Sequence, residues 1–489
     1  MDLPIFTEVP ELDFYLKNGL LFGMYEGKPH ACIRENPDAN MLNALSHLKG
    51  EFPVLQLDEE SYTKLKNRFL ETRTEEGIGE VEGFETPEEI ENFLQNEDLL
   101  DSENSAPIIR YVNSLFVQAV KRHATDIHIE TFEREGDVRF RIDGVLNKVA
   151  TLKKGAIESI INRIKVISNL DISETRIPQD GRTKVTIAGS GVDVRVSVLP
   201  TYYGEKVVMR LLMKGESIPS LHNLGFSVEV YRKLKSLLKH SYGMILITGP
   251  TGSGKSTTLH SFLKEIDHEQ NNIVTIENPV EYNAPGINQI QVNEKVNLTF
   301  SEALRSILRQ DPDVIMVGEM RDAETAKIAT QAAMTGHLLL STLHTNSAVA
   351  AIPRLLDMGI DPFLVRSTLI GVMAQRLVRK LCPYCKVKYT PDENDIEYFY
   401  LPEEAEIYAP KGCEKCGYTG YRGRRAIGEI ILVDEGFGSK IKYGADEQSL
   451  RRYLLEETDF RPMFEELRLM VISGETSIPE AIRIGVKGL

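Results

Sequence analysis

Residues 244–266 read MILITGPTGSGKSTTLHSFLKEI. An apolar run without alternation, residues 244–248, leads into Gly249-Pro-Thr-Gly-Ser-Gly-Lys-Ser256, and residues 257–266 follow with helical composition. Short unalternated apolar runs suit a strand covered on both faces. The octapeptide fits G-x-x-x-x-G-K-S in full and stands between a strand and a helix, the context that pattern needs. Gly249, Gly252 and Gly254 let the backbone curl, so that its N–H groups and those of the next helix turn converge on phosphate oxygens. Pro250, Thr251, Ser253 and Thr257 complete the candidate loop. Lys255 brings a point charge to the β- and γ-phosphates, and Ser256 offers its hydroxyl to Mg²⁺. These residues predict a site for ATP with Mg²⁺ and a chain that hydrolyses it.

Three further apolar runs follow at residues 273–276, 314–317 and 338–342, with helical stretches between them. That alternation predicts an α/β domain with a parallel sheet, spanning residues 222–378. Ligands of such sheets lie beyond the carboxyl ends of the strands. The polar residues there are the candidates: Glu277 after the second run, Glu319 after the third, and His344 after the fourth. Glu319 is the expected catalytic carboxylate, placed to orient water and support the Mg²⁺ shell. The alternative is a strand-end glutamate paired with Arg321. Glu277 is a second candidate for the same work. His337 and His344 flank the fourth run, as phosphate sensors or as satisfied core histidines.

Upstream, residues 1–68 have helical periodicity at 42–48 and 62–69 and form a candidate small domain. Residues 69–105 form an acidic linker with one short helix expected at 87–94; positions 71–105 hold thirteen acids and a single arginine. Residues 106–215 predict a smaller α/β domain. Its helices lie from Ile108 and at 157–170, its strands at 126–130, 138–142, 192–198 and 206–212, and Asp143-Gly144 signals a hairpin turn.

The chain of 489 residues carries a formal net charge of −15, most of it in the linker, and has no long Lys/Arg block. A nucleic-acid partner is therefore not expected. The N-terminus lacks a basic region followed by an apolar stretch, and no apolar run reaches about 18 residues, so a cytoplasmic chain is expected. Of five cysteines, Cys32 reads as a buried thiol. Cys382, Cys385, Cys413 and Cys416 form two C-x-x-C pairs around a spacer of 27 residues. Four thiolates in this arrangement suit one structural Zn²⁺; the alternative is reduced thiols without metal. They define a candidate subdomain at 379–428, with residues 429–489 as a C-terminal helical part.

With these pieces in order, the chain resembles the secretion ATPases that drive type II secretion and type IV pilus assembly. The likeness covers residues 106–489 and rests on Ala124-Thr-Asp-Ile-His-Ile-Glu130, Arg176-Ile-Pro-Gln-Asp-Gly-Arg182, the phosphate loop, Thr275-Ile-Glu-Asn-Pro-Val-Glu281, Leu308-Arg-Gln-Asp-Pro-Asp313, Gly318-Glu-Met-Arg-Asp322, Thr335-Gly-His337, Ala374-Gln-Arg-Leu377 and the cysteine pairs. The resemblance implies a RecA-like ATPase core preceded by a PAS-like domain, working as a homo-hexamer. It implies that Arg195 and Arg210 reach the nucleotide from the second domain, and that Arg305 and Arg309 lie near it; surface ion pairs are the alternative. It further implies peripheral placement at the cytoplasmic face of the inner membrane, with platform proteins bound through the N-terminal domain. Residues 430–434 lean towards the secretion branch over a pilus extension motor. A nucleic-acid translocase and a nucleotide-gated scaffold are the rivals from other classes. The family usually has Asp where this chain has Asn278; an amide there can hydrogen-bond but cannot neutralise a metal or take a proton, which leaves that work to Glu277.

Overall fold

In the computed structural model the described residues are 6, 9, 15, 19–25, 27–37, 39–48, 52–58, 61, 62, 65, 106–187, 190–213, 218–402 and 404–486. The expected helix at 87–94 and the linker lie outside them. The chain divides into two compact units, Met1–Gly215 and Glu216–Leu489.

Among the described residues the first unit contains two sheets. The small one has order β1-β2-β3, from Leu21–Tyr25, Lys28–Arg34 and Val54–Leu57, with helix α1 at Ala39–His47. Phe22, Cys32 and Met41 are fully buried in its core. The thiol of Cys32 is pushed up to about 11 by burial, against a backbone hydrogen bond from Gly23. It is an inert packing group.

The larger sheet has six strands in the order β6-β5-β4-β9-β8-β7. They are β4 (Ala124–Thr131), β5 (Glu135–Ile142), β6 (Val145–Lys153), β7 (Gln179–Ile187), β8 (Ser190–Thr201) and β9 (Gly204–Met213), all pairing antiparallel. Alternation explains the layering. Ile127, Ile129, Val138, Phe140, Val194, Val196 and Met209 are buried in one core with helices α2 (Ala106–Lys121) and α3 (Lys154–Ile167). The alternate positions carry Asp126, His128, Arg139, Arg141, Arg195 and Arg210, so the other face is polar.

The second unit is built on a seven-stranded sheet of order β12-β11-β13-β14-β10-β15-β18. Its strands are β10 (Gly243–Thr248), β11 (Ile273–Glu277), β12 (Asn288–Gln291), β13 (Val314–Val317), β14 (Leu338–Leu343), β15 (Leu369–Leu381) and β18 (Tyr421–Leu432). All neighbours run parallel except β15 and β18. Every residue of β10, β13 and β14 is buried. Met244 and Leu246 enter one core, with Ala326 and Leu355; Ile245 and Ile247 enter the other, with Leu234, Leu259 and Phe262. Each fully buried aliphatic side chain contributes about 1.5–3 kcal/mol, so this double burial is the main source of the sheet's stability.

The strands at 244–248, 273–276, 314–317 and 338–342 are as the apolar runs predict. By contrast β15 and β18 carry Gln375, Arg376, Arg379, Arg424 and Arg425, which interrupts the pattern that marks the others. These two strands continue past 378 and begin before 429. The cysteine-bearing excursion therefore occupies residues 382–420, with a two-stranded pair, β16 (Val387–Tyr389) and β17 (Ile407–Ala409).

Candidate active site

The phosphate loop connects β10 to helix α4 (Lys255–Glu265) at the carboxyl edge of the sheet. Gly249, Gly252 and Gly254 have φ of 149°, 78° and 88°, a region that disfavours side chains. A Cβ on Gly249 would also lie 2.6 Å from both the Gln375 carbonyl oxygen and Ser253 Oγ. Lys255 is 9% exposed, and its Nζ donates to the carbonyls of Gly249 at 2.9 Å and Pro250 at 3.1 Å. Burial holds this ammonium below its usual range, while Glu319 acts in the opposite direction. Ser253 Oγ is buried without a hydrogen-bond partner. Positive-φ glycines, an orphaned buried hydroxyl and a lysine turned onto the loop fit phosphate. Lys255 and the N–H groups of the loop would hold it, and Ser256 and Glu319 would hold Mg²⁺.

Glu319 stands two residues past β13. Its Oε2 forms an ion pair with Arg321 Nε at 2.7 Å and faces His344 Nε2 at 3.3 Å. The carboxylate is 15% exposed. The Arg321 pair weighed in the sequence is thus present, and it coexists with the histidine contact. Glu277 is set differently. It is 4% exposed and accepts from His260 Nε2 at 3.0 Å, Thr275 Oγ1 at 2.8 Å and Gln289 Nε2 at 3.0 Å. Asn278, the next residue, is exposed, so the amide there costs no buried charge.

The two histidines do not meet. His344 follows the carboxyl end of β14, at the phosphate edge. His337 precedes the amino end and bonds the Ala332 carbonyl through Nδ1 at 2.8 Å. A strand of this length separates them by about 3.3 Å per residue. Within one subunit His337 is therefore at the edge opposite the loop, which corrects its expected place beside the nucleotide. Arg305 pairs with Glu302 at 3.1 Å and Glu324 at 2.5 Å. Arg309 bonds the Arg305 carbonyl at 2.9 Å. Both are engaged on their own surface. In the first unit, Arg195 and Arg210 face one another across β8 and β9, and Arg210 Nε bonds Asp126 Oδ1 at 3.0 Å.

Further polar residues tie the loop to distant segments, and their partners are not legible from local spacing. Gln375 Nε2 donates to the Ser253 carbonyl at 2.9 Å and its Oε1 accepts from Thr258 at 2.8 Å. Thr248 and Thr345 hydroxyls meet at 2.7 Å, tying the end of β10 to the segment after His344. That segment is tied onward: Arg376 Nη2 bonds the Asn346 carbonyl at 3.0 Å, and Glu429 accepts from the Ala348 and Met463 amides at 2.8 and 3.1 Å.

At the far end of β15, the four sulfurs of Cys382, Cys385, Cys413 and Cys416 lie within 4.8 Å of one another. Sγ distances are 3.9 Å for Cys382–Cys413, 3.8 Å for Cys385–Cys416 and 3.8 Å for Cys413–Cys416. A tetrahedral site with Zn–S of about 2.3 Å has S···S edges of about 3.8 Å. The amides of Cys413 and Gly420 donate to Cys416 Sγ at 3.2 and 3.3 Å, which favours the thiolate. The donor set is compatible with zinc.

A family model described as type II/IV secretion system protein matches residues 101–483. The chain belongs to this family. It is 49% identical over 397 residues to the type II secretion system ATPase E of Vibrio cholerae serotype O1, covering 81% of this chain and 78% of that protein. It is 45% identical over 460 residues to the type II secretion system protein E of Klebsiella pneumoniae, covering 93% and 92%. The X-ray structure of the Legionella pneumophila ATPase DotB superposes with a TM-score of 0.57 at 21% identity, over 76% of this chain and 95% of that one, a likeness of fold. This type II/IV secretion protein is an ATPase, and it uses nucleotide with Mg²⁺. Among the described residues no helix is long and apolar enough to cross a membrane.

Proposed function

We propose that this secretion ATPase is the motor of a type II secretion system, driving assembly of a pilus-like filament at the inner membrane. The observation that carries it is the phosphate loop and Glu319 at one sheet edge, in a chain whose type II relatives match at 45–49% identity over most of its length.

Lys255 and the loop amides bind the phosphates. Bound Mg²⁺ neutralises charge on the transferring group. Glu319, steadied by Arg321 and His344, orients the attacking water. Arg195 and Arg210 stabilise charge at the transferred phosphoryl group, a role worth about 10³ to 10⁵ in rate. Glu277, with its oxygens engaged, supports the site as a fixed buried charge. The protein works as a homo-hexamer, in which Arg305 and Arg309 stand near the nucleotide. Zn²⁺ on the four cysteines holds the 382–420 excursion together. The protein is cytoplasmic and associates with the inner membrane through platform proteins bound by the N-terminal domain.

Glu319→Gln tests the assignment. ATP binding is expected to persist while turnover falls by about 10² or more. Full turnover in the variant removes Glu319 from the mechanism. Restoration of protein secretion, and not of pilus extension, in strains lacking either motor tests the branch.

A further inference from the structure

We propose that Gln375 is a positioning residue of the phosphate loop: its buried amide aims the Gly254 N–H at phosphate. The inference rests on residues 249–256 being the ATP site.

Gln375 lies on β15, the neighbour of β10, and is 1% exposed. It meets the loop at Gly249, Ser253 and Gly254. Its backbone oxygen lies where a Gly249 Cβ would come within 2.6 Å, and its Nε2 lies 2.9 Å from where a Gly254 Cβ would be. Between them, Nε2 donates to the Ser253 carbonyl at 2.9 Å. Its Oε1 accepts from Thr258 Oγ1 at 2.8 Å, in the first turn of α4. Arg376 Nη1 donates to the Gln375 carbonyl at 3.1 Å and holds that end of the residue.

The consequence follows from peptide geometry. In a planar trans peptide the C=O and the next N–H point in opposite directions. Binding the Ser253 carbonyl on the β15 side therefore turns the Gly254 N–H away from β15, towards the concave side of the loop. A side chain that does this must donate to a carbonyl and accept from a hydroxyl at once, which an amide can do and a carboxylate or an alkyl chain cannot. Gly249 and Gly254 then have a second reason to lack side chains, namely the approach of Gln375.

The test compares Gln375→Met, Gln375→Asn and Lys255→Ala in the full chain. A fluorescent ATP analogue with Mg²⁺ gives affinity, steady-state turnover gives kcat and KM, and thermal unfolding gives the folded fraction. Methionine keeps the volume without the hydrogen bonds; asparagine keeps the amide but falls short by one methylene. Both variants are expected to weaken nucleotide affinity and raise KM about tenfold, with kcat of the folded protein within about twofold, since a contact made equally in ground and transition states is lost. Affinity within about twofold of the unsubstituted protein in a folded variant overturns the proposal. So does a lowered melting temperature with unchanged affinity, which marks a packing role only. Should Lys255→Ala still bind the analogue, the phosphate-loop assignment itself fails; loss of binding there with none in the Gln375 variants sinks the positioning role alone.

Discussion

Asp126 Oδ1 accepts from Arg210 Nε at 3.0 Å, and Asp126 stands opposite Arg210 on the neighbouring strand. The registers extend this pair into a row: Arg182 opposite Arg195, Arg195 opposite Arg210, Arg210 opposite Asp126, Asp126 opposite Arg141. Opposed residues share a face, so four arginines stand in line at strand spacing of about 4.8 Å around one carboxylate. Asp126 is 4% exposed and also receives Thr125 Oγ1 at 2.7 Å.

Asp126 occupies Nε of Arg210 and leaves the two terminal nitrogens for an anion. Asp126→Asn keeps the shape and removes the charge that orients the guanidinium. Turnover is expected to fall about tenfold with KM for ATP changed by less than about twofold, the pattern of a contact made in the transition state. Steady-state kinetics beside Arg210→Ala decide it. A large loss for the arginine variant with none for the aspartate variant shows that Arg210 is oriented by other groups.

Glu277 predicts an acid limb in stability. Burial pushes its carboxyl up, but the His260, Thr275 and Gln289 hydrogen bonds outweigh burial and hold it below the usual carboxylate range. The sign follows: with the folded value below the unfolded one of about 4.3, the stabilisation is present above that pH and is lost as pH falls through the lower folded value. Glu277→Gln should cost about 2 kcal/mol at neutral pH, with a smaller gap between variant and unsubstituted protein in acid. Denaturant midpoints at the two pH values measure it. An equal gap at both would assign the loss to packing.

Lys165 is 0% exposed, and its Nζ bonds Glu205 Oε1 and the Glu174 carbonyl, each at 2.8 Å. It thereby ties α3 to β9 and to the 171–178 loop. Lys165→Met leaves the Glu205 carboxylate buried and unpaired, at an expected cost of about 3–5 kcal/mol to the second domain. The double variant Lys165→Met with Glu205→Leu should recover much of that loss in the same unfolding experiment. No recovery would place the cost in the lost Glu174 contact.

The sulfur cluster predicts one zinc per chain by elemental analysis. Cys385→Ser, which removes one of four ligands, should release most of the metal. Acid should release it as well, because thiolates, not thiols, bind it. Hydrogen exchange is expected to rise at residues 382–420 after release, with nucleotide binding kept, because the excursion lies beyond the sheet strands. Protein purified without chelator and free of metal returns these cysteines to the reduced-thiol alternative.

The sequence by itself determined the phosphate loop, the buried parallel strands and the pairing of four cysteines. Each depends on consecutive residues: glycines at fixed spacing in a turn, an unalternated apolar run, or two thiols three positions apart. The strands β15 and β18 escaped that reading because their buried polar groups find partners across the fold. Only the tertiary structure decided which polar groups meet. Asp126 and Arg210 are 84 positions apart, and Gln375 and Ser253 are 122 apart. Their contacts depend on strand order and register, which long-range packing sets. His337 and His344 stand at opposite edges for a local reason, since their spacing in sequence is the length of the strand between them.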